Sequence, residues 1–396
     1  MTNRPLARAR LVAQGIVAGS GMGSGTTPGS TSRNPTPHEV ARAFAALQGQ
    51  DLPGVLSSIA LRAGTSAQTV VDAFNRGEIV RAYPMRGTVF ALAAEDALWI
   101  SQLCNAAPVR AAINRRGQLG LENHHVATAA EVLERTITEA PTPGVPRSQV
   151  LAAWNAAGIA TDGGRGYHLL VHFISTGHAV YGTLSTDGHR DHDVMLGAQW
   201  LPAGSNLASR FNDDEVAATA ELLHRYVLTR GPLTLRDAAW WTKLPLRLLR
   251  PAAEQMLAEH DDVEIGTWTN AGPTSAASAH RVDEPQYWRV GLPEEVAAVG
   301  RRVDAPLLLP AFDEVILGYP DRMYIVPEAH HEALVPGNNG VFRSAAVAGA
   351  QVIGFWKRGP SAASGVRRFV HEPFGTVSAS RAAQLESRYA AFPFPG

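Results

Sequence analysis

One cysteine, Cys104, stands in 396 residues. It has no partner for an internal disulfide and leaves no thiolate set for a zinc cluster, so it reads as a small buried hydrophobe. Lysine is almost as scarce: Lys243 and Lys357 are the two in the chain, and the rest of its 35 basic residues are arginine. No run approaches the roughly 18 apolar residues of a membrane-spanning helix. Behind Arg4, Arg8 and Arg10 only the short run 11–17 is largely apolar, which is short for a secretory leader. The expectation is a cytoplasmic protein without a membrane partner. A surplus of either charge is missing too, with a net charge of −1. That sum lacks the basic excess common in nucleic-acid binders, although binding needs only a local basic face. Walker, Rossmann and kinase motifs are absent.

What is present is ordinary globular material, 45% hydrophobic and 18% charged, with length for several modules. Residues 18–34 are rich in Gly, Ser and Thr and read as a flexible surface segment. A helix is expected from Pro37, with Thr36 as N-cap and Glu39 completing a capping box. Its stripe is Val40, Phe44 and Leu47, and its expected end lies near Gln48-Gly49-Gln50-Asp51. A pattern then recurs. Helices at 55–63 and 66–76 precede a hairpin, 79–85 and 88–92, turning at Arg86-Gly87. Helices at 146–158 and 164–177 precede strands at 178–183 and 193–198, with a wing at 184–192. Helices at 215–229, 234–242 and 245–260 precede strands at 263–267 and 287–290, with a loose wing at 268–285. Helix, turn, helix and hairpin is winged-helix order, and its repetition counts for more than any one copy. Residues 100–145 read as a helical connection. After Pro306 the texture becomes β-rich, with a hairpin turning near Gly349 and a closing helix at 378–391. The expected fold is α+β: tandem winged-helix modules followed by a β-rich, barrel-like module. Expected boundaries are 1–100, 101–210, 211–300 and 301–396.

Six segments, in order, resemble the AlkZ/YcaQ family of bacterial DNA glycosylases. They are ALQGQD (46–51), YPMRGTVFALAAED (83–96), GGRGYHLLVHFISTG (163–177), LRDAAWWTKLP (235–245), LLLPAFDEVILGYPDR (307–322) and GAQVIGFWKR (349–358). Together they span nearly the whole chain. The resemblance implies a concave DNA-binding body and a catalytic signature of Gln, an aliphatic residue, then Gln or Asp. The signature falls on Gln48, Gly49 and Gln50, with Asp51 beside it. Glycine replaces the aliphatic residue, and the expected consequence is a looser turn.

The resemblance implies excision of alkylated bases from duplex DNA, and glutamine suits that chemistry. The N-glycosidic bond breaks through an oxocarbenium-like state, and carboxylate glycosidases supply an acid to the leaving group. A purine alkylated at N7 or N3 is already cationic and leaves without one. The protein then needs to hold a water and stabilise charge, which amides can do. Neither lysine lies near the glutamines in sequence, so no Schiff base is expected. The expected enzyme is a monofunctional, cofactor-free and metal-free glycosylase, acting as a monomer. Its substrates would include bulky adducts or crosslinks, and it could protect a producer of a DNA-alkylating compound. A non-catalytic DNA-binding regulator is the alternative.

Further candidates each have a plainer reading. Arg86, at a wing, and Arg165, near a helix start, are candidates for phosphate contact. His168 and His172 are four apart, but no third ligand accompanies them; DNA contact or packing is expected. His189, Arg190 and His192 lie where a wing is expected, as a solvated tip or a DNA contact. Asp51 also reads as an N-cap. Asp313 and Glu314 read as structural hydrogen-bonding groups. Of Trp240 and Trp241, at most one is exposed and one belongs to the core.

Overall fold

Helix α1 (Arg4–Ala13) opens the chain in a computed structural model that describes residues 2–17, 33–184, 191–269, 272–275, 284–361 and 367–395. Most of the Gly- and Ser-rich segment lies outside these residues, as do His189, Arg190 and most of the 184–192 wing. Helix α2 (Pro37–Phe44) starts with the expected capping box, Thr36 and Glu39 bonding reciprocally. It stops short of the expected end. Ala45 takes a positive φ of 59°, and Leu47–Gln48 forms a short strand, β1.

Helices α3 (Leu52–Ala63) and α4 (Ala67–Asn75) lead into strands β2 (Ile79–Met85) and β3 (Thr88–Ala93). The hairpin turns at Arg86 and Gly87, both with positive φ, as a tight two-residue turn between right-twisted strands requires. Helices α5 (Ala94–Cys104), α6 (Ala106–Arg115) and α7 (Asn123–Thr138) form the connection. Then follow β4 (Gly144–Pro146), α8 (Arg147–Ala156), α9 (Arg165–Ser175), β5 (Ala179–Leu184) and β6 (His192–Leu196). The hairpins of the first two repeats share one sheet, in the order β1-β3-β2-β5-β6-β4. Antiparallel pairing joins them where Arg81 on β2 faces Tyr181 on β5.

Short helices α10 (Gly197–Trp200) and α11 (Leu207–Phe211) lead to α12 (Glu215–Arg230), α13 (Leu235–Thr242) and α14 (Leu246–Glu259). A three-stranded sheet follows, ordered β8-β7-β9, from β7 (Val263–Thr269), β8 (Gly272–Ser275) and β9 (Gln286–Arg289). Part of the expected loose wing is thus paired strand. Beyond α15 (Leu292–Val299) come β10 (Leu307–Leu309), α16 (Glu314–Leu317), α17 (His331–Leu334), β11 (Ala345–Ala348), β12 (Gln351–Ser361), β13 (Arg367–Pro373) and α18 (Ala379–Ala390). Mixed helix and sheet is as expected. The C-terminal strands correct the barrel-like expectation: among the described residues they form an open sheet, β10-β11-β12-β13, with no closure between its edges.

The largest core runs through the helical repeats, from Trp99 and Trp154 to Tyr226, Trp241 and Leu249. A second core joins α1, through Ala7, Leu11 and Val12, to Trp268, Trp288, Tyr319 and Tyr324. Full burial of such apolar side chains contributes about 1.5–3 kcal/mol each. Charged groups cross between the elements as compensated pairs. Asp96 on α5 accepts from Trp99 Nε1 at 2.8 Å and from Arg225 of α12 at 2.5 Å. Arg62 of α3 binds Asp313 with both side chains fully buried. Among the described residues no helix is long and apolar enough to cross a membrane.

Candidate active site and nucleic-acid interface

The turn from α2 into β1 exposes carbonyls that no helix satisfies, and one arginine takes them. Arg230, at the end of α12, donates to Phe44 O at 3.1 Å and to Ala46 O at 2.8 Å. It also binds Glu314 Oε2 at 2.9 Å. The other Glu314 oxygen accepts the Gln48 backbone N–H at 2.7 Å. Glu314 and Asp313 are hydrogen-bonding groups, as expected. Asp313 caps α16 and accepts from Ser58 and Arg62.

Gly49 is pinned on both sides. Its N–H donates to Val89 O at 2.9 Å, and its carbonyl accepts from Arg81 at 2.6 and 3.1 Å. A Cβ at this position would lie 3.1 Å from backbone atoms of Phe90 and Ala91. The expectation of a loosened turn is therefore corrected: glycine lets the strand press against β3, and the clamped peptide leaves it little freedom.

The two amides converge, although from a strand and the turn after it and not from a helix end. Gln48 is 6% exposed and its Nε2 donates to Oε1 of exposed Gln50 at 2.6 Å. Gln48 Oε1 is buried and receives no hydrogen bond from the protein. An unmade bond on a buried acceptor costs about 1–3 kcal/mol, a cost that a donor reaching this atom would offset. Asp51 caps α3, accepting Gly54 N–H at 2.9 Å. Burial pushes its carboxyl up, while the Gly54 bond and nearby Arg81 pull it down.

The expected DNA-contacting residues are spread over several places. Arg86 is half-buried, its guanidinium 4.4 Å from the Trp240 ring centroid. Trp240 is half-buried and Trp241 is in the core, stacked on Tyr226. Arg165 donates from Nε to Leu119 O at 2.6 Å. His168 is nearly buried, and burial followed by Arg116 and Arg115 lowers its pKa. His172 is pushed down to about 4, by burial first and then by Arg116. His192 departs from the expected exposed tip. It is 1% exposed, packs between Phe74 and Tyr181, and donates from Nδ1 to Gly182 O at 2.7 Å. Such a side chain cannot touch DNA in this conformation. The buried Cys104 thiol is pushed up, far from a reactive thiolate.

Sequence reasoning missed Arg81 and Arg230, which brace the motif. Arg81 had a visible signal: it is the lone charge in an otherwise apolar strand. It missed another cluster as well. Donor atoms of Glu221, His224 and His260 lie within 4.8 Å of one another. Partners within the protein already engage two of these groups: His224 meets Asp262 at 2.7 Å and Glu221 pairs with Arg225.

A family model described as DNA glycosylase AlkZ-like matches residues 41–392. Among solved structures, the DNA glycosylase AlkZ of Streptomyces sahachiroi is similar, with a TM-score of 0.65 at 16% identity. The match covers 100% of this chain and 98% of that one. At that identity the likeness speaks for the fold. No curated protein matches.

Proposed function

The chain belongs to the AlkZ-like family of DNA glycosylases and acts on damaged DNA, and from that premise we propose that it hydrolyses the glycosidic bond of alkylated purines in duplex DNA on a water held by Gln48 and Gln50. The observation that carries this reading is Gln48 Oε1, a buried acceptor without a donor from the protein, next to a second amide on a clamped turn.

In the proposed reaction an N7- or N3-alkylpurine takes the electrons of its bond to the sugar carbon and leaves neutral. Water bound by the Gln48 carbonyl attacks that carbon and loses a proton to solvent. A carboxamide is a weak base, so it assists only where the leaving group needs no acid and the nucleophile needs mainly orientation. Fixed amide dipoles stabilise the developing sugar cation without reorganising. Bulky adducts and crosslinks meet the same requirement, and resistance to a DNA-alkylating compound is a role of that kind.

We read the recurring helix–helix–hairpin units as tandem winged helices, dividing the chain at 1–100, 101–210, 211–300 and 301–396. The proposed working unit is a monomer on duplex DNA. In the test, duplexes carrying N7-methylguanine, normal guanine or uracil at one position are incubated with the protein and then heated in alkali. Breaks confined to N7-methylguanine and above those of a protein-free control support the reading; breaks at uracil, or none above the control, overturn it.

A further inference from the structure

The β2–β3 turn, the end of α13 and the segment after α16 meet on one indole. Around the Trp240 ring centroid lie Arg86 at 4.4 Å, Lys243 Nζ at 5.7 Å and Arg322 at 5.8 Å. Arg322 also sits 4.9 Å from the centroid of Phe342. Lys243, remote from the glutamines in sequence, is thus a spatial neighbour of Arg86.

Arg86 and Arg322, both half-buried, depart from the pattern of most buried arginines; Arg81, buried and also without a carboxylate, gives its Nε and Nη2 to the Gly49 carbonyl. Arg62 has Asp313, Arg225 has Asp96 and Glu221, and Arg230 has Glu314. Among the described residues, no carboxylate oxygen lies within ion-pairing distance of Arg86, Lys243 or Arg322. Arg322 Nε is buried and donates to no protein acceptor. Burial disfavours the charge on both arginines, and Arg86 adds its repulsion at Arg322. Attraction to the indole offsets only part of that cost. Glu314 and Asp321 attract these arginines only from beyond ion-pairing distance, and like charges with no carboxylate in contact are relieved by an anion from outside.

The place of the cluster says which anion. Arg86 stands three residues before Val89, whose carbonyl accepts the Gly49 N–H at 2.9 Å, and it feels the attraction of Glu314, the carboxylate that holds the Gln48 N–H, so the cations and the glutamine pair share a neighbourhood. Guanidinium forks match phosphate oxygens in pairs, and an ammonium adds a point charge. We propose that Arg86, Lys243 and Arg322, gathered on Trp240, form the seat for one backbone phosphate of the strand that carries the damaged base. This rests on the glycosylase reading of Gln48 and Gln50. It makes the three cations positioning residues, which place the sugar carbon against the amides.

The test has two arms. Binding to a duplex containing N7-methylguanine is measured from about 50 to 200 mM salt for the wild type, Arg322→Gln, Arg86→Gln and Lys243→Gln, with Arg322→Lys as the charge-preserving control. The slope of log affinity against log salt should flatten in each Gln variant, by at most about 0.9 because the three cations share one phosphate, and Arg322→Lys should retain the wild-type slope. Lys243 is exposed, so Lys243→Gln provides a variant whose fold is not at risk. In the second arm, methylphosphonates neutralise single phosphates along the damaged strand. One position should weaken the wild type, and there Arg322→Gln should lose nothing further. Unchanged slopes in all three Gln variants, or additive losses at every phosphate, overturn the seat. If the wild type releases no base at all, the glutamine reading fails instead, while the salt slopes still decide the seat.

Discussion

Glu314 Oε1 accepts the Gln48 backbone N–H at 2.7 Å, across 266 residues of chain. The same carboxylate neutralises Arg230, which holds the carbonyls of the turn just before the motif. One buried ion pair thus fixes both the charge and the backbone of the site. Glu314→Ala leaves Arg230 buried and unpaired, with an expected loss of about 3–5 kcal/mol. Glu314→Gln keeps an acceptor for Gln48 but not the charge. Thermal melting should rank wild type, Glu314→Gln, Glu314→Ala, and base release per folded molecule should follow the same order.

Gly49 stands where the family resemblance implies an aliphatic residue, and β3 approaches it closely. Gly49→Ala places a Cβ 3.1 Å from the backbone of Phe90 and Ala91. The Arg81 and Val89 bonds hold both sides, so the expected outcome is a loss of about 1–3 kcal/mol from overpacking. Slower release should accompany it. Denaturant titration measures the first effect. An unchanged midpoint would show that β3 yields.

Two histidines are expected to make the protein acid-sensitive. His172 is pushed down to about 4, and His192 lies well below the ordinary 6.5, both chiefly through burial. As the pH falls below 6.5 the unfolded chain takes these protons first. Their contribution is therefore full above 6.5 and is lost as the pH falls toward the folded values. His172 accounts for about 1 kcal/mol of the loss at pH 5 after its part exposure is allowed for. Melting temperatures at pH 7.5 and 5 should diverge less in His172→Gln and in His192→Asn than in the wild type.

Lysine chemistry offers a contrast between sequence and structure. The scarcity of lysine points to hydrolysis without a Schiff base, yet Lys243 shares the Trp240 ring with Arg86. Borohydride added during turnover should trap no covalent DNA adduct. A trapped adduct that disappears in Lys243→Ala would assign the amine a covalent role.

The local elements were legible because their signals are local. The Thr36–Glu39 capping box, the Arg86-Gly87 turn and the helices at Glu215–Arg230 and Leu246–Glu259 follow from neighbouring residues. The joint sheet was not legible, since the pairing of Arg81 with Tyr181 brings together strands a hundred residues apart. Nor was the strand at Leu47–Gln48, too short to show a period. The two amides were visible in the sequence. Their brace, from Arg81, Arg230 and Glu314, depends on tertiary contacts. His192 misled because a polar residue at the edge of a wing looks solvated, whereas its ring fills a gap between Phe74 and Tyr181.

The water-holding role of the glutamines is tested most directly by single-turnover release of N7-methylguanine from duplex DNA, comparing the wild type with Gln48→Ala and Gln50→Ala at matched folded fraction. Loss of an orienting group at the reacting water is expected to slow release by about 10²–10⁴-fold, with little change in DNA binding. Release within a factor of a few of wild type in both variants, with DNA binding intact, would contradict the account.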